Sequence, residues 1–379
     1  MKTIGREVHY LPISKGNSRN GEGAFLRLQD GGIMFAYTHF KSDNVADEAI
    51  ACICACYSYD EGETWSESRV IKEKDEDAEN IMLANLYRMN NGDIGLIHGR
   101  KVFMPDGGIV TIPHLARSSD EGRTFSSSVS FGLEPAYYCQ CNDDLLRLRS
   151  GRLLKPVQYC GLRYDPHGVC NLPREKNASI RFIYSDDDGA HWDMLPAIIR
   201  TPYSDSSGFM EPGIYEHEDG TLWCWFRTNY GYQYHSHSFD GGITWTDPEP
   251  NFFFTSPNSP MRVKRIGEYA VAVFNPLSFN CVRTDTEIFG APKRTPLICA
   301  ISHDDARSFD STGKTAVGPE AQAFARNCYY LEADTTKSYC YPALLEIEGG
   351  FLAAYYDSAG YEFALSCTRI TKVSFDELD

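Results

Sequence analysis

No stretch of this 379-residue chain comes near the roughly 18 consecutive apolar residues that a membrane helix needs. The opening MKTIGREVHY lacks the apolar core of a secretory signal, so the sequence as it stands reads as cytoplasmic. Basic residues are in deficit: 36 Lys and Arg against 52 Asp and Glu give a net charge of −16. That balance excludes nucleic acid and anionic membranes as expected partners and leaves any anionic ligand to local arginines. No C-x-x-C pair occurs among the 13 cysteines, which argues against zinc and for reduced core thiols. Cys52, Cys54 and Cys56 alternate along ACICACY and so share one face of a strand. His235 and His237 form an H-x-H without a third ligand and read as packing, and Asn142-Asp143-Asp144 lacks the spaced oxygens of a calcium loop. No metal or cofactor is expected. Helical domains, low-complexity linkers and charged tails are missing as well.

What the chain does have is one short phrase that returns. SYDEGETW at Ser58 is followed by SSDEGRTF at Ser118, SDDDGAHW at Ser185, SFDGGITW at Ser238 and a worn SHDDARSF at Ser302. In the pattern S-x-D-x-G-x-T-W the Ser and Asp accept turn amides, the Gly takes a positive φ, and the aromatic packs back over the turn. Near-regular recurrence is the mark of a repeat architecture.

Between these boxes lie hairpin signals, two apolar alternating runs about a tight turn, at Gly31, Gly92, Gly151, Gly220, Gly267 and Gly349. Six hairpins predict an all-β fold, a six-bladed β-propeller occupying residues 1–379 as one domain. Each box falls between the third and fourth strands of a blade, the sixth blade has none, and TIGREVHYLP is expected to pair in that last blade to hide its edge. The longest interval, between Gly267 and Gly349, is expected to loop out at Asn280–Lys293.

Innermost strands of such blades converge on one channel. Counting back from each hairpin turn puts Glu22, Asn142, Glu211, Asn258 or Ser259, and Tyr341 at its mouth, with blade two open between Met82 and Asn85. Several are polar where a buried strand would otherwise be apolar, which suggests a site.

Boxes, hairpins and channel residues together resemble the sialidase (neuraminidase) family of six-bladed propellers, over almost the whole chain. Glu211-Pro-Gly-Ile-Tyr-Glu-His-Glu-Asp-Gly matches the family's E-x-x-x-x-E-x-x-D-G, Arg227 and Arg294 stand where it places arginines before the fourth and fifth boxes, and Tyr341-Pro-Ala-Leu stands for its Y-S-x-L. The resemblance implies catalytic Tyr341 as nucleophile, Glu211 as its base and Asp43 as acid/base, with Asp47 an alternative in the same loop. It implies Arg227 and Arg294 on a substrate carboxylate. Asn142 or Asp143, by its place at the channel mouth, is expected to touch substrate. A neutral tyrosine suits a keto-acid glycoside because a carboxylate nucleophile would repel the substrate's own carboxylate.

One departure stands out. Where the family has a third arginine in an R-I-P motif, this chain has NGEGAF with Glu22, and Arg19 is the nearby substitute. A carboxylate there opposes an acidic ligand unless paired or protonated. The expected function is a retaining exo-glycosidase for a terminal acidic sugar of the sialic acid type, with a glycan or oligosaccharide as partner and the oligomeric state open. A propeller glycosidase using Glu22, Glu211 and Asp43 on another sugar, and a non-catalytic carbohydrate-binding propeller, are the alternatives.

Overall fold

The computed structural model describes residues 1–104, 108–162, 177–202, 207–277, 294–309, 327–359 and 365–378, so the loop expected at Asn280–Lys293 lies outside the described residues. The regular elements of the described residues are all strands, apart from one 3-10 turn at Phe375–Glu377. No helix among the described residues is long and apolar enough to cross a membrane.

The strands of the described residues fall into six successive antiparallel units, with one short strand between the second and third. Unit one comprises Asn20–Arg27, Ile33–Phe40, Ala51–Ser58 and Arg69–Lys72, and unit two Asn80–Arg88, Ile94–Phe103, Ile109–Ser118 and Val129–Ser130. Unit three comprises Leu146–Arg147, Leu153–Cys160, Ser179–Ser185 and Asp193–Ile199. Unit four comprises Met210–Glu216, Leu222–Arg227, Tyr232–Ser238 and Glu249–Thr255, and unit five Arg262–Ile266, Tyr269–Phe274, Leu297–Ser302 and Cys328–Glu332. Unit six comprises Tyr339–Ile347, Gly350–Asp357 and Cys367–Ser374, and its outer edge is covered by Arg6–Leu11, which pairs antiparallel with Cys367–Ser374. The short strand Tyr137–Cys139 joins units two and three into one nine-stranded sheet by pairing with both.

Neighbouring units share cores in cyclic order. Units one and two meet at Ile53 and Leu86, two and three at Ile97 and Ile183, three and four at Phe182 and Phe226. Four and five meet at Trp225 and Phe274, five and six at Cys299 and Tyr355, and six and one at Leu352 and Phe35. Cys52, Cys54 and Cys56 are free thiols in this last cluster, as their alternation requires.

The boxes do what their residue types allow. Ser58 Oγ accepts the Gly62 amide at 2.9 Å, Asp60 accepts the Thr64 amide at 2.9 Å and its hydroxyl at 2.6 Å, and Trp65 Nε1 donates to the Gly62 carbonyl at 3.0 Å. Gly62 has φ +82°, and a Cβ on it would meet Leu352 at 2.8 Å, so glycine is demanded by backbone and space together. The worn copy keeps the left-handed turn with Ala306 at φ 60°.

A second repeating device ties the units together. One carboxylate from each unit accepts the backbone amide of the hairpin turn in the unit before it. Glu121 takes Gln29 N at 2.9 Å, Asp188 takes Asn90 N at 2.7 Å, and Glu216 takes Arg149 N at 2.9 Å. Asp305 takes Glu218 N at 2.5 Å, Glu346 takes Gly267 N at 3.0 Å, and Glu61 takes Glu348 N at 3.1 Å, which brings the series back to unit one. In units one, two, three and five the acid follows the box aspartate and is also paired with an arginine at the end of the inner strand or one residue before it: Arg27, Arg88, Arg147 and Arg265. Unit four has Gly241 at that box position and unit six has no box, so the inner strand itself supplies Glu216 and Glu346.

Glu121→Ala removes the acceptor of the Gln29 amide and the partner of Arg88 in one step. It is expected to lower stability by about 1–3 kcal/mol, read as a shift in urea midpoint. An unchanged midpoint would mean that the clasp contributes nothing.

Candidate active site

Each inner strand, or the run leading into it, carries one non-glycine residue in the left-handed region. These are Glu22 (φ 52°), Leu83 (φ 68°), Asp143 (φ 56°), Glu211 (φ 38°), Asn258 (φ 57°) and Tyr341 (φ 55°). In units one, two, four and six the pairing register slips at this point, between Gly21 and Ala24, Met82 and Asn85, Met210 and Gly213, and Cys340 and Ala343. Such a bulge re-aims a side chain that a regular strand would deliver to one face of its sheet. Counting from the turns therefore locates the kinks, with unit five at Asn258 and unit two at Leu83. In unit three the kink falls at Asp143 rather than Asn142, because this run, like that from Tyr341 to Gly349 in unit six, is one residue shorter between kink and turn glycine than in the other units.

Three of these kinks bring their side chains together. Tyr341 Oη donates to Glu211 Oε1 at 2.5 Å, and Arg227 Nη1 donates to Glu211 Oε2 at 2.6 Å. Arg227 Nε donates to Asn258 Oδ1 at 2.8 Å, and its Nη1 also lies 3.4 Å from Tyr341 Oη. Arg294 donates to the Asn258 carbonyl at 3.2 Å, with its guanidinium 5.7 Å from the Tyr341 ring centroid. Glu211 thus bridges the phenol and a guanidinium, and Asn258 holds both arginines. Burial, then the Glu211 carboxylate, pushes the Tyr341 phenol well above its usual range, against the pull of Arg227 and Arg294. The phenol is neutral until a base takes its proton.

Glu22 heads a second group. Its side chain is 2 % exposed and Oε1 accepts from Arg19 Nη2 at 3.0 Å. Arg19 is fully buried, stacks over Phe40, donates to Asp47 Oδ1 at 2.7 Å and to the Val45 carbonyl at 3.0 Å, and approaches Tyr356 Oη at 3.5 Å. Burial lifts the Glu22 carboxyl to about 7 against the pull of Arg19, with Asp47 and Glu211 adding to the rise. The two groups adjoin: Glu22 feels Glu211, Tyr341 feels Glu22, and the Tyr356 ring sits edge-on to Tyr341 with centroids 5.9 Å apart. Gly21 makes this possible, since a Cβ there would lie 2.2 Å from the Tyr356 ring.

The loop after the second strand of unit one separates its two aspartates. Asp43 Oδ1 accepts the Gly16 amide at 2.6 Å and belongs to a surface turn. Asp47 reaches the Arg19–Glu22 group with a half-exposed carboxylate, and its carbonyl is pinned by Asn80 Nδ2 at 2.5 Å and by Lys101 Nζ at 2.8 Å.

Asn142 and Asp143 are occupied elsewhere. Asn142 donates to the Gly23 carbonyl at 2.8 Å and the Tyr341 carbonyl at 3.4 Å, while Asp143 accepts Lys264 Nζ at 2.6 Å and the Leu344 amide at 3.0 Å. Both tie inner strands across the centre. His235 accepts from Trp223 Nε1 at 3.0 Å and packs edge-on to His237, and no group of three or more His, Cys, Asp or Glu among the described residues is placed to hold a metal. Sequence reasoning missed Lys101 and Tyr356 altogether. Only the glycines flanking Glu22 in NGEG hinted that a large ring crosses there.

Residues 53–353 match the family model described as BNR repeat-like domain. No curated protein sequence matches the chain. Among solved structures it is similar to a protein of unknown function from Dyadobacter fermentans, at 18% identity and TM-score 0.67 over 97% of this chain and 99% of that one. It is similar to the leech intramolecular trans-sialidase, at 15% identity and TM-score 0.70 over 100% of this chain and 71% of that one. It is similar also to the intramolecular trans-sialidase of Ruminococcus gnavus, at 14% identity and TM-score 0.69 over 98% and 97% of the two chains. At such identities the likeness is one of fold.

Removing Arg227 alone would leave Glu211 as a buried, unpaired carboxylate. Arg227→Met is expected to cost about 3 kcal/mol in urea unfolding, and Arg227→Met/Glu211→Gln to recover part of it. A double variant as unstable as the sum of the two single ones would refute the pairing.

Proposed function

From the chain's membership of the BNR repeat-like family, with the Asp-box fold of the sialidase superfamily, we propose that it is a single six-bladed propeller acting as a retaining exo-glycosidase on a terminal acidic sugar. The observation that carries the reading is the Tyr341–Glu211 hydrogen bond with Arg227 on the far carboxylate oxygen. The cyclic order of cores and clasps supports the propeller.

In this reading Glu211 takes the phenolic proton as Tyr341 Oη bonds to the anomeric carbon and the glycosidic C–O bond breaks. The base is already within hydrogen-bond reach, and Arg227 keeps its second oxygen engaged. A phenol approaches the sugar without bringing another negative charge against the substrate's carboxylate, for which the Arg227 and Arg294 guanidinium groups supply planar donors. Asp47 gives its proton to the departing oxygen, then removes one from the water that cleaves the tyrosyl–sugar bond, returning the proton on Glu211 to Tyr341. We assign that role to Asp47 over Asp43 because its carboxylate lies on the Arg19–Glu22 group, whereas Asp43 is engaged by the Gly16 amide.

Hydrolysis of the methylumbelliferyl glycoside of N-acetylneuraminic acid tests this directly. Tyr341→Phe and Asp47→Ala are expected to lose about 10²-fold or more in turnover, and Asp43→Ala to stay within about threefold. Full activity in Tyr341→Phe would sink the tyrosyl mechanism. An inactive wild type would favour the carboxylate set of Glu22, Glu211 and Asp47 on a different sugar, or a binding protein.

A further inference from the structure

Glu22 occupies the same kinked position in unit one that Glu211 and Tyr341 occupy in units four and six, so its side chain is aimed at the same centre. Among the described residues its Oε1 is engaged by Arg19, while its Oε2 is buried without a hydrogen-bond partner. Charged and titratable neighbours bear on it from four units: Arg19 and Asp47 of unit one, Lys101 of unit two, Glu211 of unit four, and Tyr341 and Tyr356 of unit six.

We propose that Glu22 meets the substrate in its protonated form and that its Oε2–H donates to the carboxylate of the bound sugar, so that binding draws a proton from solution. The inference rests on the acidic-sugar reading and goes beyond it by naming the group that replaces a third cation. An ionised Glu22 would stand beside the Glu211 carboxylate, and its nearest counter-charge, Arg19, is also bonded to Asp47. A ligand carboxylate arriving on Arg227 and Arg294 adds a further anion, and the least costly response is to take up a proton. A neutral carboxyl has one O–H to give. Because Oε1 accepts from Arg19, Oε2 is the atom left to carry it.

The free carboxyl sits at about 7, raised chiefly by burial, so the proton is available near neutral pH. The sign follows. As pH rises from about 6 to about 8 the protonated fraction falls about tenfold, and affinity for the acidic sugar should weaken by the same factor. Below that window this group contributes no further change.

Isothermal titration calorimetry of the full chain with the didehydro glycal of N-acetylneuraminic acid, in two buffers of different ionisation enthalpy, reads the proton directly. At about pH 7.5 wild type is expected to take up roughly three-quarters of a proton per ligand bound. Glu22→Gln, which keeps a donor at the same atom, should bind with no uptake and with affinity flat across the window. Wild-type binding with no proton uptake would overturn this inference and leave the acidic-sugar reading standing. No binding by either protein, together with no hydrolysis of the sialoside, would overturn both. The wild-type measurement decides the matter even if the variant does not fold.

Discussion

A carboxylate accepting a turn amide from the neighbouring unit is the contact on which the rest of this structure depends. A single such bond to a charged acceptor contributes on the order of 1.5–3 kcal/mol. What matters more is that there are six, one at each junction, with the Glu61–Glu348 bond joining unit six to unit one. Each bond fixes the tilt of one hairpin against the next, and the hydrophobic clusters between units then pack against a set angle. Four of the acids are held ready by the box turn itself, where the residue after the aspartate is left-handed: Glu61, Glu121, Asp188 and Asp305. The boxes thus hold the outer turns and, through their acids, the next unit.

Fixed tilts bring the inner strands to a common centre, where each makes a second departure from regular backbone. A left-handed non-glycine residue costs on the order of 1–3 kcal/mol, and the surrounding sheets must sustain it. Here they sustain one for every unit. The return is a constellation, Tyr341 on Glu211 on Arg227 on Asn258, whose members come from three units and meet within hydrogen-bond distance.

Much of this was legible in the sequence, and the limits have physical causes. Boxes and hairpins are local: their hydrogen bonds span four residues or so, and the pattern S-x-D-x-G-x-T-W states them outright. The clasps could not be read, because Glu121 and Gln29, or Glu61 and Glu348, are partners only through the fold, and because units four and six deliver the same acid from a different strand. At the site, counting from the turns located Glu22, Glu211 and Tyr341, and the resemblance pointed to Arg227 and Arg294. Asp43 and Asp47 have nearly the same local surroundings, and only the reach of Arg19 from the facing strand separates them. Asn142 and Asp143 are polar and central, and the Gly23 and Tyr341 carbonyls and the Leu344 amide that they engage are brought near only by the fold.

The six kinks carry a consequence for how such a molecule can change. Direction at these positions is set by the main chain, whereas chemistry is set by whichever side chain happens to stand there. The two can be inherited separately. Glutamate, leucine, aspartate, asparagine and tyrosine all occupy the same backbone geometry in this one chain. Descendants of a common ancestor could therefore exchange one member of the set and acquire a new ligand without relearning how to fold. Leu83, the one apolar member, is the position at which that freedom has been left unspent.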